Sequence, residues 1–319
     1  MNILKYRWYF IGIFLITMLL SVIFLFVNPF NGWGTKPGSA LNLGIDFTGG
    51  TKIYFPVDKP VSSDEVTAVL KTIKLPNFKY NPPQPNHFVD ITGKVKNQVI
   101  VYTGFLNDTE QEVVLNALEA KFGKTQSEQG LDISRVDPLI GAEAVNNALL
   151  AVALASLAMM IYIWFRFELV SGVAAIIALF HDALLVLGVF ALLGKEVNAT
   201  MVAAVLTILG YSVNDTIVVF DRIRENLKTK HRDTPFVEMA NDSILQTLRR
   251  SLNTGLSAIL SVCVLFLLVP AIREFCFALI VGLMSGTYSS IFVASPIWAV
   301  YKDWQERKKN TLKPVSATR

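Results

Sequence analysis

The sequence has little of what metal binding, disulfide scaffolds and soluble catalysis draw on. It holds two cysteines and three histidines in 319 residues. Cys263 and Cys276 lie inside or beside apolar runs, so neither a disulfide framework nor a zinc-ligand spacing is present. His87 has no Cys, His or acidic constellation near it, which argues against a metal or catalytic role there. Charged residues make up only 17% of the chain and the formal charge is +4, too small and too scattered for a nucleic-acid surface. No Gly-x-x-x-x-Gly-Lys-Ser/Thr spacing occurs, so no P-loop cradles a nucleotide. No metal, cofactor or catalytic set is expected. Energy for any work this chain does must come from an ion gradient or a partner.

What is present is apolar sequence. Hydrophobic residues make up 52% of the chain and concentrate in runs of roughly 20 residues, the length that crosses a ~30 Å hydrocarbon core as a helix. That pattern excludes a soluble enzyme and a disordered chain. Six spans are expected, at about Trp8 to Val27, Val145 to Phe165, Val170 to Leu193, Thr200 to Phe220, Leu252 to Val269 and Phe275 to Tyr301. Lys5 and Arg7 ahead of the first run also describe a signal peptide. Its run is longer than the ~7 to 15 residues of a signal core, however, and no small-x-small cleavage site follows. The organisation is then an N-terminal segment with the first span over 1–29, a polar domain over 30–144, and a five-span bundle over 145–304. The bundle contains a loop at 221–250, and a basic tail occupies 305–319.

Lys and Arg in the short connections set the orientation. With the N-terminus inside, the inner segments carry Lys5, Arg7, Arg166, seven basic residues from Asp221 to Arg250 and six from Lys302 to Arg319, while the short outer loops carry Lys195 and Arg273. Both termini are therefore expected in the cytoplasm, with residues 30–144 outside.

The external domain reads β-α-β-β-α-β. Thr51 to Val57, Phe88 to Thr92, Gln98 to Tyr102 and Leu131 to Val136 are strand-like, and Ser62 to Ile73 and Asp108 to Phe122 helical. A small α+β ferredoxin-like sandwich fits that order. Pro82, Pro83 and Pro85 mark a loop rather than a strand. Gly44, Gly49 and Gly50 flank Asp46, Phe47 and Thr48, suggesting a tight extended turn where the first span hands over to the domain, with Asp46 capping backbone amides.

Ionisable residues inside spans cost ~2.5 to 3.5 kcal/mol each at a helix centre and so point to function. In the fourth span, Val202, Leu206, Leu209, Val213, Ile217 and Phe220 form an apolar face on a helical wheel. Ala203, Thr207, Gly210, Tyr211 and Asn214 form another, with Asp215 at its margin, expected to face protein or water. In the fifth span, Asn253, Thr254, Ser257 and Ser261 continue a stripe from Arg250. Asp215 and Arg250 fall at similar depths and can pair across adjacent helices. One reading is a static ion pair; the other is a carboxylate that changes protonation as it faces alternate sides. His181 and Asp182 sit near the middle of the third span and point about 100° apart, so one serves packing and the other a polar pathway. Gly282 and Gly286, with Ser285 and Ser289 nearby, have small-xxx-small spacing for helix packing.

Several stretches together resemble the SecD/SecF family of bacterial protein-export membrane subunits, in its SecF branch. They are Leu43-Gly44-Ile45-Asp46-Phe47-Thr48-Gly49-Gly50-Thr51, Phe165-Arg166-Phe167-Glu168, His181-Asp182, the block from Gly210 to Asn226, and Thr247-Leu248 ahead of Arg249 and Arg250. The resemblance runs in order along essentially the whole chain. It implies an α-helical membrane protein with six transmembrane helices, half of a twelve-helix transporter of the resistance-nodulation-division (RND) type. It further implies a heterodimer with SecD, association with the SecYEG channel and with YajC, and use of the proton-motive force to promote preprotein translocation across the bacterial inner membrane. Asp215 matches the family's intramembrane aspartate, Asn214 lies beside it on the proton path, and Arg250 or its neighbour Arg249 matches the arginine of the fifth span. Val136-Asp137-Pro138 departs from the family pattern, in which a glycine precedes the proline. The alternative function is an RND-type half-transporter exporting a small or lipidic molecule, which predicts a large apolar pocket in the external domain.

Overall fold

The computed structural model describes residues 3–26, 41–76, 78–89, 95–123, 131–229 and 234–311. Val27, Thr92 and the side chain of His87 lie outside the described residues. In chain order the elements begin with α1 (Arg7–Phe26), β1 (Asn42–Leu43), the single helical turn α2 (Ile45–Thr48), β2 (Gly50–Val57) and α3 (Ser63–Thr72). They continue with β3 (Gln84–Val89), β4 (Val95–Thr103), α4 (Asp108–Phe122), β5 (Asp132–Val136), α5 (Pro138–Arg166), α6 (Leu169–Leu193) and β6 (Glu196–Val197). Last come α7 (Ala199–Thr229), α8 (Phe236–Leu268), α9 (Arg273–Ser289), a π-helical segment at Ser290–Ala294, and α10 (Ser295–Thr311). Six of these stretches are long and apolar enough to cross a membrane.

The third, fourth and sixth spans hold the centre of the bundle, and α1, α5 and α8 stand around them with most of their surface outward. Small residues set the close approaches. A side chain on Gly282 would collide with Ile208, one on Gly286 would meet Ser212 Cβ at 3.1 Å, and one on Gly188 would meet Ser21 Cβ at 2.5 Å. The α9 glycines thus seat that helix on α7, the packing their spacing predicts.

The expected loop at 221–250 is largely helical. α7 continues to Thr229 and α8 begins at Phe236 because apolar spacing persists beyond the bilayer stretch. Phe220, Ile223, Phe236 and Ile244 are buried, and Phe220 and Phe236 stack edge-on around Trp298. Asp137 supplies what the missing glycine leaves open at the entry to α5. It caps the helix by accepting from Leu139 N at 2.8 Å, with Pro138 in the first turn.

The domain is a four-stranded antiparallel sheet of order β3-β4-β2-β5 with both helices on one face, the ferredoxin-like arrangement. Ile53, Phe55, Val99 and Val101 point from the sheet into a core shared with Val66, Leu70, Val114 and Leu118. Asn107 and Glu110 form a reciprocal capping box at the start of α4. Pro85 is in strand β3 rather than a loop. β3 is an edge strand, so a residue without an N–H costs no ladder bond on its open side.

Candidate functional site

Two buried carboxylates occupy the middle of the bundle, and they differ in how their oxygens are used. Asp182, on α6, is fully buried. Its Oδ1 accepts from Ser285 Oγ at 2.6 Å and lies 3.2 Å from His181 Nδ1; its Oδ2 accepts from Ser212 Oγ at 2.6 Å and Ser289 Oγ at 2.7 Å. A carboxylate has about four acceptor positions, and all are taken. His181 Nε2 stands 3.0 Å from Thr17 Oγ1 on α1. With Nδ1–H directed at Asp182, Nε2 is left as an acceptor facing Thr17 Oγ1, which also has Ile13 O and Phe14 O at 3.0 Å for its one hydroxyl hydrogen. The two adjacent residues therefore do meet, at one Asp182 oxygen, while the ring packs on Phe14. The cluster ties α1, α6, α7 and α9 together.

Asp215 lies one turn further along α7 than Ser212. Its Oδ2 accepts from Ser290 Oγ, the residue that follows Ser289 and opens the π-helical segment. Consecutive serines thus serve the two carboxylates, Ser289 that of Asp182 and Ser290 that of Asp215. π-helical turns commonly mark functional positions in helices, because they re-aim side chains that a regular helix would direct elsewhere. The Tyr211 hydroxyl is buried near Asp215 and Thr287 without a well-formed hydrogen bond. Asp215 therefore keeps unused acceptor capacity beside an unspent donor, where Asp182 has none.

The structure does not bring Arg250 to Asp215. Arg249 and Arg250 are both exposed, and no ion pair joins either to Asp215. The reason is the face α8 turns inward: Thr247, Ser251 and Gly255 are buried, and a side chain at Gly255 would strike Thr287 Oγ1 at 2.5 Å. The stripe of Asn253, Thr254, Ser257 and Ser261 consequently points out of the bundle, as do Ala203, Thr207, Gly210 and Asn214 of α7. Leu209 and Val213, from the apolar face of the wheel, are buried with Asp215. Polar residues that a single chain leaves facing lipid form a stripe for another helix to cover.

The glycine motif occupies the end of the bundle that carries the domain. Ile45–Thr48 is one helical turn, not an extended turn, with Phe47 against the bundle core. Gly44 N donates to Val197 O at 2.9 Å, and Asn42–Leu43 pairs in parallel with Glu196–Val197. Asp46 does cap amides, but of a distant helix: its Oδ2 accepts from Ala199 N at 3.0 Å, where α7 begins. Gly49 has φ +68° and ψ +166°, and a side chain there would meet Pro138 Cα at 2.5 Å. Gly49→Ala should therefore lower stability by about 1–3 kcal/mol from backbone strain alone, before the displacement of α5 is counted. Thermal unfolding in detergent, with Gly12→Ala as control since no atom lies within 4 Å of that position, is the check.

Sequence reasoning found Asp182, His181, Asp215 and the glycine motif, and named Ser285 and Ser289 only for packing. It missed Ser290, Ser212 as a carboxylate partner, and the external groups Lys52, Tyr102 and Glu196. For Ser212 the available signal was its place one turn before Asp215 in the same span; for Ser290 it was its place beside Ser289 in a span rich in serine.

The chain is similar in sequence and in overall fold to known proteins. Residues 116–304 match the model of the protein export membrane protein SecD/SecF C-terminal family, and residues 38–61 match the SecD/SecF GG motif. The protein translocase subunit SecF of Petrotoga mobilis is 38% identical over 295 residues, 91% of this chain and 92% of that one. SecDF of Bacillus subtilis is 36% identical over 275 residues, 85% of this chain but 35% of the longer protein. The crystal structure of SecDF from Thermus thermophilus, described as translocon-associated, superposes with a TM-score of 0.79 at 32% identity, covering 95% of this chain and 39% of that chain. The glycine motif at the joint, six spans around an inward aspartate and homology over nearly the full length lead to one conclusion: the chain belongs to the SecD/SecF family of protein-export membrane proteins.

Proposed function

We propose that this chain is an accessory subunit of a Sec protein translocase that pairs with a SecD-type subunit and uses the proton-motive force to promote preprotein movement. The observation that carries this reading is Asp215, a carboxylate buried in mid-span with acceptor capacity to spare. Beside it, Ala203, Thr207, Gly210 and Asn214 of α7 and the Arg250 to Ser261 stripe of α8 form an outward polar surface in the membrane. The SecDF relatives, about a third of whose length this chain spans, support a SecD-type half as the cover for that surface. Arg250 then faces the partner, and Asp215 meets a cation only in another state of the pair. The basic-residue bias supports cytoplasmic termini, an external domain and residence in the bacterial inner membrane. SecYEG, YajC and the preprotein are the further partners of this reading. The chain performs no covalent chemistry in it.

The half-transporter alternative looks for an apolar pocket in the external domain. That domain fills its interior with its own side chains, and the large apolar cavity, about 610 Å3, lies among the spans between α5, α6 and α7. The test is copurification followed by transport. The chain should copurify with a second six-span protein carrying its own intramembrane aspartate, and the pair in inverted vesicles should stimulate preprotein import only when a proton gradient is applied. Equal stimulation with and without the gradient overturns the reading.

A further inference from the structure

The external domain leaves the bundle through two adjacent crossings, Gly49–Gly50 into β2 and Val136–Asp137–Pro138 into α5, and Gly50 and Val136 are register partners in the sheet. Gly50 has φ +130°. The two covalent connections therefore lie side by side on one line, the geometry of a hinge. Beyond that line the open sheet face stands off the bundle over a cleft of about 740 Å3, bounded by Tyr54, Gln98 and Ile100 on the sheet and by Lys195, Arg273 and Glu274 below. One polar contact closes the cleft at its hinge side. Lys52 Nζ lies 2.6 Å from Glu196 Oε2, and the Tyr102 hydroxyl donates to the same oxygen at 2.8 Å. Lys52 also sits 5.1 Å from the ring centres of both Tyr54 and Tyr102.

The lysine and glutamate side chains are 13% and 11% exposed, so the pair is largely shielded from solvent. Burial works against the charge on Lys52, but Tyr102, Glu196 and Tyr54 outweigh it and hold the ammonium well above its ordinary range. Burial and the Glu196 carboxylate push the Tyr102 phenol up as well, so it remains a donor. The bundle half of this contact is the two-residue strand directly before α7, and Asp46 caps the first amide of that helix. A tilt of α7 must move Glu196 and Ala199 together.

We infer that Glu196 is a positioning residue that couples the external domain to α7, and that the Lys52–Glu196–Tyr102 contact is a latch that opens and closes as Asp215 changes state. This rests on the gradient-driven reading above. Over the cleft the open sheet face stands off the bundle, so among the described residues the Lys52–Glu196–Tyr102 contact is the polar tie whose breaking lets the domain swing about the Gly50–Val136 line. The shared pattern of one carboxylate, one ammonium and one phenol makes the closed state a single defined arrangement.

The experiment uses the assembled complex in inverted vesicles. Lys52→Glu and Glu196→Lys should each reduce gradient-dependent stimulation about tenfold while copurification persists, and the double variant, which rebuilds the pair with reversed polarity, should recover most of it. A double variant no better than the worse single one, or single variants at the wild-type level, overturns the inference. A second arm tests opening directly. Ile100 and Ala271 line the cleft from its sheet and bundle sides, so Ile100→Cys with Ala271→Cys, joined by a bifunctional thiol reagent with a reducible linker, ties the domain down without touching the latch residues. Cross-linked complex should lose stimulation and regain it on reduction. Stimulation that is unaffected by cross-linking, or that stays lost after reduction, overturns the latch. Wild-type complex without any gradient response defeats the functional reading instead, whereas an Asp215-dependent response indifferent to the latch defeats only this inference.

Discussion

Asp215→Asn should abolish the response to a proton gradient, reducing gradient-dependent stimulation by about tenfold or more while the partner complex still copurifies. A proton moving through 100 mV releases ~2.3 kcal/mol, a bias of roughly 50-fold on a two-state equilibrium. Asparagine keeps an oxygen for Ser290 to bond and preserves volume, but it cannot take up or lose the proton that would carry that bias. Because Ser290 is the hydroxyl that donates to Asp215, the substitution leaves few groups unsatisfied, and unfolding in detergent should shift little. Asp215→Glu, which retains titration on a longer arm, should restore part of the response. An asparagine variant with undiminished gradient response in an intact complex defeats the assignment of Asp215.

Much of this arrangement was legible in the sequence, and what was hidden has a physical cause. Six apolar runs and the β-α-β-β-α-β order are local patterns, and local patterns survive in one dimension. The glycine motif was legible as a turn, yet its partner was not, because Asp46 meets Ala199 across 153 positions. Glu196 and Lys52 are separated almost as far and carry no spacing signal at all. At α7 the helical wheel separates the two faces but does not say which protein each one meets. It ranks faces by polarity, and in a chain that leaves a polar stripe for another subunit the more polar face need not be the one its own helices cover. Leu209 and Val213 went inward because Gly282 and Gly286 let α9 pack closely on α7 there. Arg250 lies on the outer side of its helix, away from Asp215, because Gly255 and Ser251 fix which face α8 turns inward, and residue count along the span carries no signal for that facing. The helices past the bilayer were undervalued because span criteria stop where charge begins, whereas Ile223, Phe236 and Ile244 keep apolar spacing among charged neighbours.

Removing the other carboxylate should have the opposite signature. Asp182→Ala strands three serine hydroxyls and one imidazole N–H in the driest part of the bundle. A buried donor without an acceptor costs ~1–3 kcal/mol, but serine hydroxyls in helices can turn back to a carbonyl one turn earlier, as Ser289 already approaches Gly286 O at 3.3 Å. The net loss should therefore be about 3–5 kcal/mol, or roughly 10 °C in the detergent melting temperature for a chain of this size. Asp182→Asn keeps one acceptor oxygen but turns an amide N–H toward Ser212 or Ser285, and should fall about midway. Both variants should retain a gradient response in whatever fraction still assembles, because every acceptor position on Asp182 is already committed to holding four helices together. A variant at position 182 that melts like wild type but has lost its gradient response would move Asp182 onto the proton path, and Ser289 and Ser290 would then have to be read as the link between two titrating sites.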